Sequence, residues 1–463
     1  MQRFIARFVT ALAACTAATL PVSSPDSVPT LSGHRVFAAG SPGMIYVAVG
    51  HLWMRSVDGG TARMIATPWS MAGQKDESTP GIQWSPDARR IALDNGTGRL
   101  AVINLANGHT TVLLQRRCAR NCFPPVYTWS PNARYLAIIQ PTVAKDAVGT
   151  FVVWDSSRGT IRRLAGNVPT AVSSPYWSHD STRIAINTGQ FDSIKDHYPD
   201  LEIVDLAGQL VRLGKGEMAA WSPDDRLIAA VSPNTCGASS CDENELVYPS
   251  TGGRAIVLMT HSSSDFNNPY WAPQPTGYAF DRWLLNRSGH IVRTLAGPHE
   301  RIDSWTPDGS HVALQTYYPY QGTPDVLYIV QPSGHRVRTY QDGRNSGCGA
   351  CSKDVYGVIW SHDSQRFAFS TPTYPTPRNM TVHSKVFLSP ILSSKAGGTR
   401  TRIPLPGSDY VDVIGFVDQD QELVIRSGKV VYRYAIATHR LTPIVSGLST
   451  SSGPVQIDPR AMT

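Results

Sequence analysis

The chain has 463 residues, 41% of them hydrophobic and 17% charged, a balance that suits a large folded core and excludes a chain disordered throughout. The formal net charge is +7, but Lys and Arg are spread along the chain, and no basic helix or arginine-rich run argues for nucleic acid. The 38 glycines and 34 prolines indicate many turns, and past the N-terminus no stretch reaches the roughly 18 apolar residues of a spanning helix.

The N-terminus reads as an export signal. Arg3 and Arg7 flank a short stretch, and residues 8–20 are apolar or small apart from Thr and Cys, the pattern of a cleavable secretory segment. Leu12-Ala-Ala-Cys15 resembles a bacterial lipobox, which implies lipidation at Cys15; an ordinary signal cleaved within residues 20–40 is the alternative. The expected division is a signal segment over 1–20, a Ser/Pro/Gly-rich tether over 21–42 and one folded domain over 43–463. The expected location is the cell envelope, outside the cytoplasm, with membrane contact only through the N-terminal lipid.

From Met44 onward the chain reads as strands. Nine pairs of apolar runs meet at short turns such as Asp58-Gly-Gly60, Asn107-Gly108, Ala207-Gly208 and Ser333-Gly334, the last at Ala437-Thr438. These are hairpin signals. Between the hairpins a second motif recurs. Trp84-Ser-Pro-Asp-Ala-Arg-Arg-Ile-Ala92 returns at Trp129, Trp177, Trp221, Trp305 and Trp360, in worn form at Trp271, and more worn at Phe416. The eighth residue after each Trp is alanine: Ala92, Ala137, Ala185, Ala229, Ala279, Ala313 and Ala368. Pro fixes φ and Asp hydrogen-bonds the backbone two residues on, so Ser-Pro-Asp presets a turn. The Trp supplies an apolar plate, and the small Ala leaves room for a neighbouring sheet. Corner plus hairpin makes four strands, and the spacing of 34 to 56 residues is that of a propeller blade. The fold expected is all-β: a single β-propeller of four-stranded blades, eight favoured within a range of seven to nine. Residues around Val455-Gln-Ile457 are expected to pair with the N-terminal unit and remove a free edge.

Trp-Ser-Pro-Asp-x-x-Arg-Ile-Ala followed by a Leu-x-Val-x-Asp hairpin resembles the TolB-type, WD-like propeller repeat, which also occurs in the propeller of the prolyl oligopeptidase and dipeptidyl peptidase family. The likeness covers most of residues 44–446. It implies a fold and leaves activity open, because one fold carries many functions. That repeat carries Gly after the Asp; here only Gly309 keeps it, with Ala88, Ala133, Ser181, Asp225 and Ser364 elsewhere.

In a four-stranded blade, the first and third turns leave one end and the second loop and the connector leave the other. The long segments 68–81, 140–150, 188–200, 232–244, 315–325 and 370–384 are all of the second kind, and binding residues concentrate on such loops. The candidate binding residues are Tyr317, Tyr318 and Tyr320, apolar bodies with polar tips; packing of the loop against its neighbours is the structural alternative. The pairs Cys118/Cys122, Cys236/Cys241 and Cys348/Cys351 fit loop-stapling disulfides better than zinc ligands. No nucleophile elbow or His-Glu-x-x-His is present, and no catalytic residue, metal or cofactor is assigned. Asp87, Asp180, Asp224, Asp308 and Asp363 read as turn formers, His179 and His362 as turn residues in the Pro position, and Asp418-Gln-Asp-Gln-Glu422 only loosely as a calcium loop. The leading reading is a monomeric, non-catalytic scaffold that binds a protein or envelope polymer at its loop-rich face. The alternatives are a hydrolase or lyase with a site at the central mouth, and an envelope assembly factor of the TolB kind.

Overall fold

The computed structural model describes residues 43–48, 51–57, 59–66, 81–94, 99–115, 125–141, 148–169, 174–189, 199–236, 241–262, 271–274, 277–280, 282–297, 300–316, 326–341, 356–373, 387–394, 400–405, 411–446, 448 and 455–457. Among them there is no helix. Thirty-six strands, β1 to β36 in chain order, form nine four-stranded sheets, and the pairings whose register is described are antiparallel. This is a β-propeller fold of four-stranded blades. Nine sheets are one more than the favoured eight and lie inside the expected seven to nine.

Blade I joins the two ends of the sequence. Its inner strand is β36 (Val455–Ile457), which pairs with β1 (Gly43–Ala48) in the register Met44↔Ile457 and Tyr46↔Val455, as expected from the sequence. Blades II to IX follow in order over residues 82–115, 126–169, 176–215, 217–262, 271–294, 300–341, 356–402 and 411–445. They fall into two compact units. One holds blades II to V; the other holds blades VI to IX and, from blade I, residues 43–48, 53–63 and 455–457.

Within each unit the same contact joins successive blades. The corner alanine of one blade lies in a core cluster with the corner aromatic of the next: Ala92 with Trp129, Ala137 with Trp177 and Ala185 with Trp221 in the first unit. In the second unit the pairs are Ala279 with Trp305, Ala313 with Trp360 and Ala368 with Phe416. All six alanines have no exposed surface. A blade cannot bury both its faces alone, so the repeat uses a small residue where an indole must approach.

Blade VI departs from the pattern. Pro-Gln-Pro-Thr-Gly after Trp271 lacks the Ser and Asp that fold the corner. Strand β20 (Trp271–Gln274) therefore continues past its Trp and pairs with β21 (Gly277–Phe280) out to Gln274↔Gly277. A Cβ at Gly277 would stand 1.9 Å from the Leu285 carbonyl oxygen, so only glycine fits there.

Candidate functional site: the two ends of the blades

The corner end is built from a repeated hydrogen-bond hook. In blade II the buried Ser85 Oγ donates to Asp87 Oδ1 at 2.6 Å and accepts from Arg90 N–H at 2.9 Å, while Arg89 N–H donates to Asp87 Oδ1 at 3.1 Å. Ser178 with Asp180, Ser222 with Asp224 and Ser361 with Asp363 repeat the serine–carboxylate bond at 2.6–2.9 Å. In blade VII Asp308 takes its hydroxyl from Ser310 at 2.6 Å. The five recurring aspartates are turn formers, as expected. Burial alone would raise the Asp180 carboxyl pKa; bonds from the Ser178 hydroxyl and from the Thr182 N–H and hydroxyl outweigh it and hold the value below the ordinary range.

Four residues past the six regular corner Trps the backbone is left-handed. Gly309 has φ 67°, and the residues that replace glycine keep the same conformation: Ala88 at 52°, Ala133 at 59°, Ser181 at 62°, Asp225 at 58° and Ser364 at 59°. The worn corner after Phe416 places Asp420 there at 65°. The replacement of glycine leaves the turn unchanged. A left-handed conformation costs a non-glycine residue about 1 kcal/mol, and the structure shows what offsets it at four of these positions. The side chain reaches back to the corner of the preceding blade and accepts a backbone N–H there. Ser181 Oγ accepts from Asn132 N at 3.0 Å, and Ser364 Oγ from Asp308 N at 3.2 Å. Asp225 Oδ2 accepts from Asp180 N, and Asp420 Oδ2 from Asp363 N, both at 2.9 Å.

The two carboxylates meet the two histidines that stand in the Pro position. His179 Nδ1 lies 2.8 Å from Asp225 Oδ1, and His362 Nδ1 lies 2.9 Å from Asp420 Oδ1. Proline has no N–H; histidine restores one, and His179 N donates to Asp225 Oδ1 at 2.8 Å. Burial would raise the Asp420 pKa, but the bonds from the Asp363 and His362 backbones and the His362 ring bring it below the ordinary range. Asp418-Gln-Asp-Gln-Glu422 is therefore a corner, with Asp420 committed to blade VIII. Among the described residues no group of three His, Cys, Asp or Glu side chains is placed to hold a metal.

The indoles complete the inter-blade links. Trp129 Nε1 donates to the Gln83 carbonyl at 3.4 Å, Trp177 to Thr128 at 3.2 Å, Trp221 to Tyr176 at 2.8 Å, and Trp360 to Ser304 Oγ at 3.1 Å. Each acceptor residue immediately precedes the corner Trp of the preceding blade. Trp305 follows the irregular blade VI, and its buried Nε1 has no acceptor.

The opposite end of the blades carries the long segments. Ten residues after the corner aromatic, where the second strand runs toward this end, stand Asp94, Asn187, Gln315, Ser370 and Arg426, all buried. Asn187 Nδ2 donates to the Gly216 carbonyl at 2.5 Å, and Tyr127 Oη donates to the Gly81 carbonyl. These polar positions were not anticipated; their signal was the fixed offset from the corner Trp or Phe416. On β32 (Val411–Val417), the inner strand of blade IX, Asp412 pairs in register with Arg426. Asp412 is exposed to solvent, yet desolvation by the protein around it raises its pKa, with Arg426 pulling the other way.

Tyr317, Tyr318 and Tyr320 lie outside the described residues, as do Cys15, Cys118, Cys122, Cys348, Cys351 and the whole of 1–42. Segment 232–244 is largely strand rather than loop: β17 (Leu227–Cys236) and β18 (Cys241–Pro249) continue through it and place Cys236 opposite Cys241. No helix among the described residues is long and apolar enough to cross a membrane.

No family model matches the chain, and no curated protein matches it in sequence. Its fold is shared with many solved structures. A eukaryotic initiation factor aligns with 92% of this chain and 100% of its own at a TM-score of 0.56 and 12% identity. TolB from Acinetobacter baumannii aligns over 65% of this chain and 64% of its own (TM-score 0.31, 16% identity). A prolyl endopeptidase aligns over 88% and 64% (TM-score 0.41, 9% identity). At these identities the likeness is one of fold.

Proposed function

We propose that this chain is a non-catalytic propeller of the cell envelope that binds a protein or an envelope polymer at the loop end of its blades. The observation that carries the reading is the contrast between the two ends of each blade. At the corner end, short turns use their Ser, Asp and left-handed residues in bonds to themselves and to the preceding blade. At the other end, the strands of blades IV, VII and VIII are joined by segments 189–199, 317–325 and 374–386, long enough to carry recognition on a rigid base. Export follows from the N-terminal segment, with Cys15 as the lipid attachment, and the TolB-like repeat agrees with an envelope location. The TolB-like assembly role remains the narrower form of the same reading. An enzymatic reading draws on Asp412, an exposed inner-strand carboxylate with a raised pKa.

A photoreactive amino acid at position 318 of the lipidated protein, compared with one at position 226 on a corner, tests the binding reading in cells. Crosslinks to one partner from position 318 alone are expected. Equal crosslinking from both positions, or from 226 alone, contradicts it.

A further inference from the structure

Among the described residues of its unit, blade V has the longest pairing between second and third strands. Its second and third strands, β17 and β18, run on together past the body of the blade, through Ser232↔Asn244 and Pro233↔Glu243, to Cys236↔Cys241. A one-residue bulge between Pro233 and Cys236 sets this last register. Strand β19 (Ile256–Ser262) follows the extension, with Glu243↔His261 and Asp242↔Ser262.

We propose that Cys236 and Cys241 form a disulfide that closes the tip of this hairpin. Antiparallel pairing is what brings the two into range. Residues directly opposite on antiparallel strands have Cα atoms about 4.5 or 5.5 Å apart, according to their place in the ladder. Bridged cysteines have Cα atoms about 4.4–6.8 Å apart. Either ladder position therefore meets the requirement without moving the backbone. The bridge joins Cys236 of β17 to Cys241 of β18 and fixes the register at the end of their pairing.

The step is a thiol–disulfide exchange. One thiolate attacks a sulfur of an oxidant disulfide, the second displaces the mixed disulfide, and the oxidant leaves as two thiols. The two cysteines lose two protons and two electrons in total. In the cell this rests on the envelope location proposed above, because the cytoplasm keeps thiols reduced.

The experiment separates the two. Full-length protein, purified reduced, is equilibrated with oxidised glutathione, blocked with N-ethylmaleimide and digested. The peptide holding both cysteines is expected to be lighter by two hydrogens, unlabelled, and to accept two labels only after reduction. Two labels, or glutathione on either cysteine without a bridge, overturn the proposal. The same peptide is then mapped from cells trapped directly in N-ethylmaleimide. A bridge in glutathione with free thiols in cells leaves the pairing intact and counts against the envelope location. In a Cys236→Ser variant, Cys241 is expected to carry glutathione or a label in place of the bridge. Wild-type mapping carries the test if that variant folds poorly.

Discussion

The Asp225 carboxylate accepts three hydrogen bonds from one corner of the preceding blade: His179 Nδ1 at 2.8 Å, His179 N at 2.8 Å and Asp180 N at 2.9 Å. It does so from a buried, left-handed position, φ 58°. Asp420 repeats the clasp on His362 and Asp363. Two of the corners with Pro in place of His, those at Trp129 and Trp305, pair with Ser181 and Ser364, which accept a single N–H each. At these four corners the exchange of Pro for His in one blade thus matches the exchange of Ser for Asp in the next.

The clasp predicts unequal losses. Asp225→Ala leaves two backbone N–H groups and an imidazole without their acceptor, and is expected to destabilise by about 2–4 kcal/mol. His179→Ala keeps both N–H bonds and is expected to cost about 1 kcal/mol. Urea unfolding of the two variants and of the double variant checks this. The double variant is expected to lose less than the sum of the two singles.

Glycine is expected to help only where the left-handed side chain has no partner. Ala133→Gly relieves a strained backbone at the expense of one buried methyl, for a net gain of about 0.5 kcal/mol. Ser181→Gly removes the acceptor of Asn132 N and is expected to cost about 1 kcal/mol instead. Opposite signs in thermal melts are the result to look for.

The indole links make a third test. Trp221→Phe loses the 2.8 Å bond to the Tyr176 carbonyl. Trp305→Phe loses no such bond. The first is expected to cost about 1 kcal/mol more than the second.

Acid stability follows from the carboxylates. Asp180 and Asp420 have pKa values below the ordinary range when folded. Their contribution is present above the unfolded value of about 3.9 and is lost as pH falls through the lower folded values. Asp155, held low chiefly by the Arg134 guanidinium, acts in the same sense. Asp412 has the opposite sign, because its folded pKa is raised. Asp412→Asn is expected to stabilise slightly at neutral pH, its exposure keeping the effect modest, and to lose that gain below about pH 4. Melting temperatures between pH 3 and 7 check both signs.

Much of this architecture was legible in the chain. Trp84 and its repeats marked the inner corners, and the alanine eight residues on marked where the next indole would sit. The count of nine hairpins against eight corners also has a physical cause. The inner strand of blade I is Val455–Ile457, and this strand comes from the far end of the sequence without a corner of its own. The clasps were harder to foresee. His179 and Asp225 lie 46 residues apart, and their meeting depends on neighbouring corners standing side by side. Reading each corner alone identified His179 as a turn residue and left Asp225 as an odd replacement for glycine. The polar residues ten positions past five of the corners were missed because Asp94, Asn187, Gln315, Ser370 and Arg426 share a place but not a chemistry, and the same place holds Ile139 and Val231 in two other blades.

The central claim is recognition at the loop end, and affinity capture with mass spectrometry tests it most directly. Wild-type protein is compared with a Tyr317/Tyr318/Tyr320→Ala variant and with an Arg89→Ala/Arg226→Ala corner variant, all three verified as folded. One partner retained by the wild type and the corner variant, and lost from the tyrosine variant, is the predicted result. A partner lost from the corner variant and kept by the tyrosine variant would contradict the account.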